Sequence, residues 1–146
     1  MSVFTRVERD ELEIFLKSYS QGTLLEYSGI NAGIENTNYY VTTTQDQFVL
    51  TLFETLGADE LPYFLNLMAF LAEHGVPSAH PIADNHGSYI RTLNAKPAAL
   101  VKRLQGKSVE CPDVDHCHAV GTALGKMHNI GMQFKDIRGN DRGPQK

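Results

Sequence analysis

Gly29, Gly33, Asn36, Thr37 and Asn38 lie together in the stretch SGINAGIENTNYYV, just ahead of a run of β-forming residues. Glycine lets a backbone approach a ligand closely, and successive N–H groups turned into one concavity bind phosphate oxygens without a charged side chain. Asn36, Thr37 and Asn38 would add side-chain donors at the tip of such a loop. Glycine and asparagine also build ordinary surface turns. On this stretch alone the plain turn is the default and the anion cradle the alternative.

A second cluster, CPDVDHCHAV, gathers the zinc-ligand types Cys111, Asp113, Asp115, His116, Cys117 and His118. Its Cys-x5-Cys spacing fits no closed four-ligand pattern, and at the start of a helix half of these side chains diverge from any shared centre. They are read as capping acids and surface histidines, with no metal assigned. His128 reads as a helix-end residue near C-terminal carbonyls. His74, His80, His86 and Glu60 receive no catalytic role.

These residues sit on elements that the apolar periodicity marks out. Val7, Leu12, Phe15, Leu16 and Tyr19 predict a helix within residues 5–20, stopped at Gln21 and Gly22. A short strand near residues 24–28 leads to TNYYVTTT and FVLTLFE, two β-like runs joined by the polar Gln45, Asp46 and Gln47 as in a hairpin. Leu61, Phe64, Leu65, Met68, Leu71 and Ala72 predict a helix over 59–74, with Asp59 as cap, Pro62 in the first turn and Gly75 as terminator. This stripe reads as core. A strand over 88–93, a turn at Asn94, Ala95, Lys96 and Pro97, and a strand over 98–104 follow. A last helix over about 115–129 carries Val120, Leu124 and Met127 and ends at Gly131. The remaining MQFKDIRGNDRGPQK is polar and glycine-containing, as of a chain cut within a loop.

With 146 residues, 42% hydrophobic and 21% charged, the chain suits one folded domain or a piece of two. The net charge of −4, with Lys and Arg scattered, argues against nucleic acid. No apolar stretch approaches the roughly 20 residues that span a bilayer, and MSVFTRVERDEL has no apolar signal core. No membrane partner and a cytoplasmic location are therefore expected. The two cysteines are expected to be reduced thiols.

The order helix, strands, helix, strands, polar linker and helix is the layout of a protein-kinase-like small lobe. Within it, GIENTNYYVTTTQDQFVLTLFE, ELPYFLNLMAFLAEHGVPSAHPIAD, KPAALVKRLQGKSV and VGTALGKMH resemble the bacterial homoserine kinases of the aminoglycoside-phosphotransferase-like superfamily. The resemblance runs from about residue 1 to 134. It implies an α+β fold, with an antiparallel sheet of about five strands plus a helix. Residues 1–104 would form the nucleotide-binding lobe and 105–146 the linker and first helix of a helical large lobe.

It also implies ATP-dependent phosphorylation of L-homoserine, a small-molecule substrate, on the way to threonine. The ATP phosphates would lie under Gly33, Ile34, Glu35, Asn36, Thr37 and Asn38, and Val101, Lys102, Arg103 and Leu104 would bond the adenine through backbone groups. Thr51 stands where kinase-like lobes usually carry a lysine, and Lys102 or Arg103 is the expected substitute cation. No His-Gly-Asp or His-Arg-Asp occurs. The catalytic base and the Mg²⁺ ligands are therefore expected in a lobe that this chain lacks, and the chain alone is expected to be inactive. A kinase for an aminoglycoside or choline, or a non-catalytic nucleotide-binding or inert fragment, is the alternative.

Overall fold

Alternating side chains in the middle of the sequence build the sheet on which everything else is mounted. Residues 4–31 and 33–139 are described by the computed structural model. Its strands are β1 (Leu24–Gly29), β2 (Asn36–Thr43), β3 (Gln47–Phe53), β4 (Arg91–Leu93) and β5 (Lys96–Lys102). They form one antiparallel sheet in the order β1-β2-β3-β5-β4. This is the five-stranded α+β lobe expected from the sequence.

The register sorts the side chains onto two faces. Thr37 pairs with Leu52, Tyr39 with Leu50 and Val41 with Phe48, and Leu50 in turn pairs with Leu100. All of these are buried, and helix α1 (Arg9–Leu16) covers them with Leu12, Phe15 and Leu16, joined by Val7 and Tyr19. Each such side chain contributes roughly 1.5–3 kcal/mol on leaving water. On the opposite face Ala99, Phe53 and Leu56 pack against Leu61 and Leu65 of helix α2 (Leu61–Glu73). The sheet is thus sandwiched, but α2 covers only part of its face.

Several boundaries differ from expectation, each for a local reason. The first helix is shorter because residues 4–7 run extended: the Tyr39 hydroxyl accepts from Val7 N–H (3.0 Å) and donates to the Thr5 carbonyl (3.0 Å). Helix α2 is preceded by Glu60 rather than Asp59 as cap residue, and Glu60 makes no side-chain cap. Its carboxylate instead accepts from Gly57 N–H (3.3 Å) and meets Arg138 (3.5 Å). Gly75 does end α2, at φ +75°, with its N–H donating to the Ala72 carbonyl. The turn between β4 and β5 contains only Asn94 and Ala95, at φ +50° and +59°. Two left-handed residues match the twist of an antiparallel pair, so Lys96 and Pro97 join β5. Pro97 lies beyond the last rung to β3, Leu52 with Ala98, where its missing N–H breaks no ladder bond to that strand.

Asp84 explains why β4 is shorter than residues 88–93. Its carboxylate accepts from the N–H groups of His86 (2.9 Å) and Ser88 (2.9 Å), winding this segment into a turn, and pairs with Arg91 at 2.7 Å. The side chain is only 2% exposed.

Helix α3 (Val114–Gly131) is capped by Asp113, whose carboxylate accepts from His116 N–H (2.9 Å). Its Lys126 ammonium donates to the carbonyl of Gly75, just past the end of α2. Beyond the helix, Phe134 sits edge-on to Tyr63 and beside Phe70. Val120 (59%) and Leu124 (45%) are exposed.

The N–H of Ser88 and the guanidinium of Arg91 hold the Asp84 pKa down to about 2. A depressed carboxylate stabilises the fold above its unfolded value of about 3.9 and loses that contribution as pH falls toward 2. Asp84→Asn is expected to lower the urea midpoint at pH 7 and to flatten the fall in stability between pH 4 and 2. An unchanged acid limb would refute this origin.

Candidate functional site

The loop between β1 and β2 is closed at its base, where Ile30 N–H donates to the Asn38 carbonyl (2.8 Å). Within it Gly33 adopts φ +147°, a conformation that only glycine takes freely. Ile34 is 91% exposed at the rim, and Glu35 is exposed beside it.

From there β2 alternates. Asn36 and Asn38 are half-buried on the α2 side, and Asn38 lies across from Thr51 in β3. The Thr51 hydroxyl donates to Asn38 Oδ1 (2.8 Å), and Asn38 Nδ2 donates to the Asn36 carbonyl (3.3 Å). Val49, Ala99 and Val101 extend this face beyond Thr51. The face is aliphatic with a neutral, half-exposed polar end at Asn36 and Asn38; Ala99 is fully covered, packed against Leu61 and Leu65 of α2.

Thr37 faces the other way, so the expectation that it offers a hydroxyl at the loop tip is corrected. It is fully buried: its Oγ1 accepts from the N–H groups of Phe4 (2.9 Å) and Thr5 (3.0 Å) and donates to Glu54 Oε1 (2.7 Å). Thr5 donates to the same oxygen (2.7 Å), and Lys96 Nζ lies 3.3 Å from Glu54 Oε2. Burial opposes the Glu54 charge, but hydrogen bonds from Thr5, Thr37 and Lys96 outweigh it and hold the carboxyl below its usual pKa. This network ties residues 4–5 to the back of the loop-bearing strand.

The far end of the sheet carries the other expected residues. Val101 is buried and bridged to Pro81. Lys102 N–H donates to the His80 carbonyl (2.8 Å) and Arg103 N–H to the Gln47 carbonyl (3.0 Å). These donors are already engaged, which leaves Leu104, 53% exposed, as the position of this segment least tied into the sheet. The Lys102 ammonium is 3.0 Å from Asp46, and the Arg103 guanidinium lies 4.3 Å from the centre of the Tyr40 ring. Tyr40 is about 13 Å along β2 from Asn36 at roughly 3.3 Å per residue. Neither cation sits at the Gly33 end of β2.

Three features escaped sequence reasoning. The Thr51–Asn38 bond was accessible in principle, since both are polar positions on one face of a hairpin. The Thr5–Thr37–Glu54–Lys96 network joins separate segments with no spacing signal. Arg138, in the glycine-containing tail, reaches Glu60 across 78 residues of sequence and lies 5.1 Å from the centre of the Phe64 ring. In the cysteine-histidine stretch, Asp113 engages His116, and Cys111 and Cys117 are exposed free thiols. Among the described residues no three His, Cys, Asp or Glu side chains come together as a metal set.

The profile of a phosphotransferase enzyme family matches residues 26–146. A homoserine kinase of Methylobacillus flagellatus is 49% identical over 145 residues, which is 99% of this chain and 46% of that protein. A homoserine kinase of Methylobacillus glycogenes is 48% identical, over 92% of this chain and 42% of that protein. One of a Bradyrhizobium species is 47% identical, over 96% and 43%. The chain spans less than half the length of these relatives. Among solved structures, a spectinomycin phosphotransferase in complex with ADP and spectinomycin superposes with a TM-score of 0.67 at 14% identity, over 91% of this chain and 43% of that one. An amicoumacin kinase in complex with AMP-PNP and Ca²⁺ gives 0.69 at 18%, over 91% and 42%. These two likenesses establish the fold as a kinase-like small lobe.

Thr37→Val removes one acceptor for two amide donors and one donor to Glu54. Leaving buried polar groups unpaired costs about 1–3 kcal/mol. Urea unfolding should show a lower midpoint with an unchanged slope; an unchanged midpoint would show that the network contributes nothing to stability.

Proposed function

The chain belongs to the phosphotransferase enzyme family, and on that premise we propose that it forms the nucleotide-binding part of a kinase that transfers a phosphoryl group from ATP to the side-chain hydroxyl of L-homoserine, giving O-phospho-L-homoserine on the way to threonine. The observation that carries this reading is 49% identity over 99% of the chain to a homoserine kinase. Residues 1–104 make the nucleotide lobe, and 105–146 make the linker and the first helix of a second lobe.

The geometry supports a defined pose. The phosphates lie beneath Gly33, Ile34, Glu35, Asn36 and Asn38, and the base lies beside the segment Val101, Lys102, Arg103 and Leu104, where Leu104 is the exposed member. Thr37 and Lys102 hold the frame from the other side. This chain's own contribution is to bind and orient the nucleotide, and positioning is most of what phosphoryl transfer asks of a protein. Mg²⁺ bound with the nucleotide would supply charge neutralisation; among the described residues no three His, Cys, Asp or Glu side chains gather as a metal set. The metal's ligands and the base that receives the hydroxyl proton would come from the part of the protein that corresponds to the remaining length of the relatives.

Among the described residues no helix is long and apolar enough to cross a membrane, and we place the activity in the cytoplasm. In a protein extended to the relatives' length, coupled ADP release should respond to L-homoserine and not to kanamycin or choline. A response to either of those instead would replace homoserine with another alcohol, and no ADP with any acceptor would refute the kinase.

A further inference from the structure

The middle of β3 lacks the cation that its place in the sheet would lead one to expect, and the structure shows what stands there instead. Asn36 offers a carbonyl oxygen, which only accepts, so the Asn38 carboxamide atom 3.3 Å away must be its NH₂ group. The Asn38 oxygen therefore faces Thr51, whose hydroxyl must donate across the 2.8 Å gap. The orientation of the carboxamide is thus determined by its two partners. A Cβ placed on Gly33 would lie 3.5 Å from the same Asn38 nitrogen. Thr51, Asn38 and Asn36 are consequently one hydrogen-bonded chain from the centre of the sheet toward the loop, and Gly33 lies beside the Asn38 end of it. An amide nitrogen carries two hydrogens; one goes to Asn36, and Asn38 is only half-buried.

Resting on the nucleotide reading above, we infer that Thr51 is a positioning residue that fixes the Asn38 carboxamide, and that Asn38 donates its second N–H to a phosphate oxygen of a nucleoside diphosphate or triphosphate. The site grips the phosphates with a neutral donor where related kinase architectures use an ammonium. Because the donor has no charge of its own, its value depends on orientation, and Thr51 supplies that orientation.

The test is calorimetric titration of ADP into the 146-residue chain and its variants. Thr51→Val should weaken ADP binding about three- to tenfold, the scale of one oriented hydrogen bond, and Thr51→Ser should restore it to within about twofold. Asn38→Asp keeps the acceptor for Thr51 but puts a carboxylate against phosphate, and should weaken binding at least about tenfold. In the ligand-free chain, the Asn38 side-chain amide resonances should shift in Thr51→Val and return in Thr51→Ser, with the remaining amide spectrum unchanged. Wild-type binding matched by Thr51→Val, or a serine variant as weak as the valine one, would overturn the inference and leave the nucleotide reading intact. Absence of ADP binding by the wild type would sink that reading and the inference together, even with the ligand-free resonances behaving as stated.

Discussion

Strand β2 does different work on its two faces, and the register that pairs Thr37 with Leu52 and Asn38 with Thr51 keeps those tasks apart. Because side chains alternate strictly along a strand, a slip of one residue would exchange the two sets. Thr37 would then turn its hydroxyl toward the open face, and Asn38 would be driven into the apolar layer under α1. The apolar partners Leu50, Leu52, Phe48 and Leu100, all at or below 1% exposure, make that exchange costly. Hydrophobic burial on one side of the sheet therefore fixes polar geometry on the other.

The same division explains where the charges are. Glu54 and Lys96 close a polar network behind the loop, Lys102 answers Asp46 at the hairpin, and Arg103 covers Tyr40. Each of these cations has a local partner, and none lies on the polar end of the open face. That end is built from carboxamide, hydroxyl and backbone groups. A loop of this kind binds through shape and directed dipoles rather than through net charge, in keeping with a chain whose formal charge is −4.

What could be read from the sequence was whatever depends on periodicity. The order of strands and helices, the burial of Leu61 and Leu65 and the terminating role of Gly75 all follow from spacing of apolar residues and from glycine's access to positive φ. What could not be read depends on contacts between segments remote in sequence. Thr37 and Asn38 are chemically similar neighbours, and only the sheet register says which one is buried. Asp84 winds its own segment into a turn and so trims a strand that composition alone extends. Glu60 displaces Asp59 as the residue before α2 because its carboxylate meets Gly57 and Arg138, the latter far along the chain. Asn94 and Ala95 make a tighter turn than Pro97 suggested because β5 starts sooner.

Strand order also differs from sequence order at one place: β5 inserts between β3 and β4. The β1-β2-β3 meander therefore leaves a ribosome with β3 as an open edge, about forty residues before Lys96–Lys102 emerges to cover it. Phe48, Leu50 and Leu52 sit on that edge strand, and an uncovered apolar edge is a template for pairing with other chains. The newborn protein thus passes through an interval in which the strand that ends at the centre of its sheet is an adhesive edge. Its yield in a cell is governed by how fast β5 arrives as much as by how stable the finished sheet is.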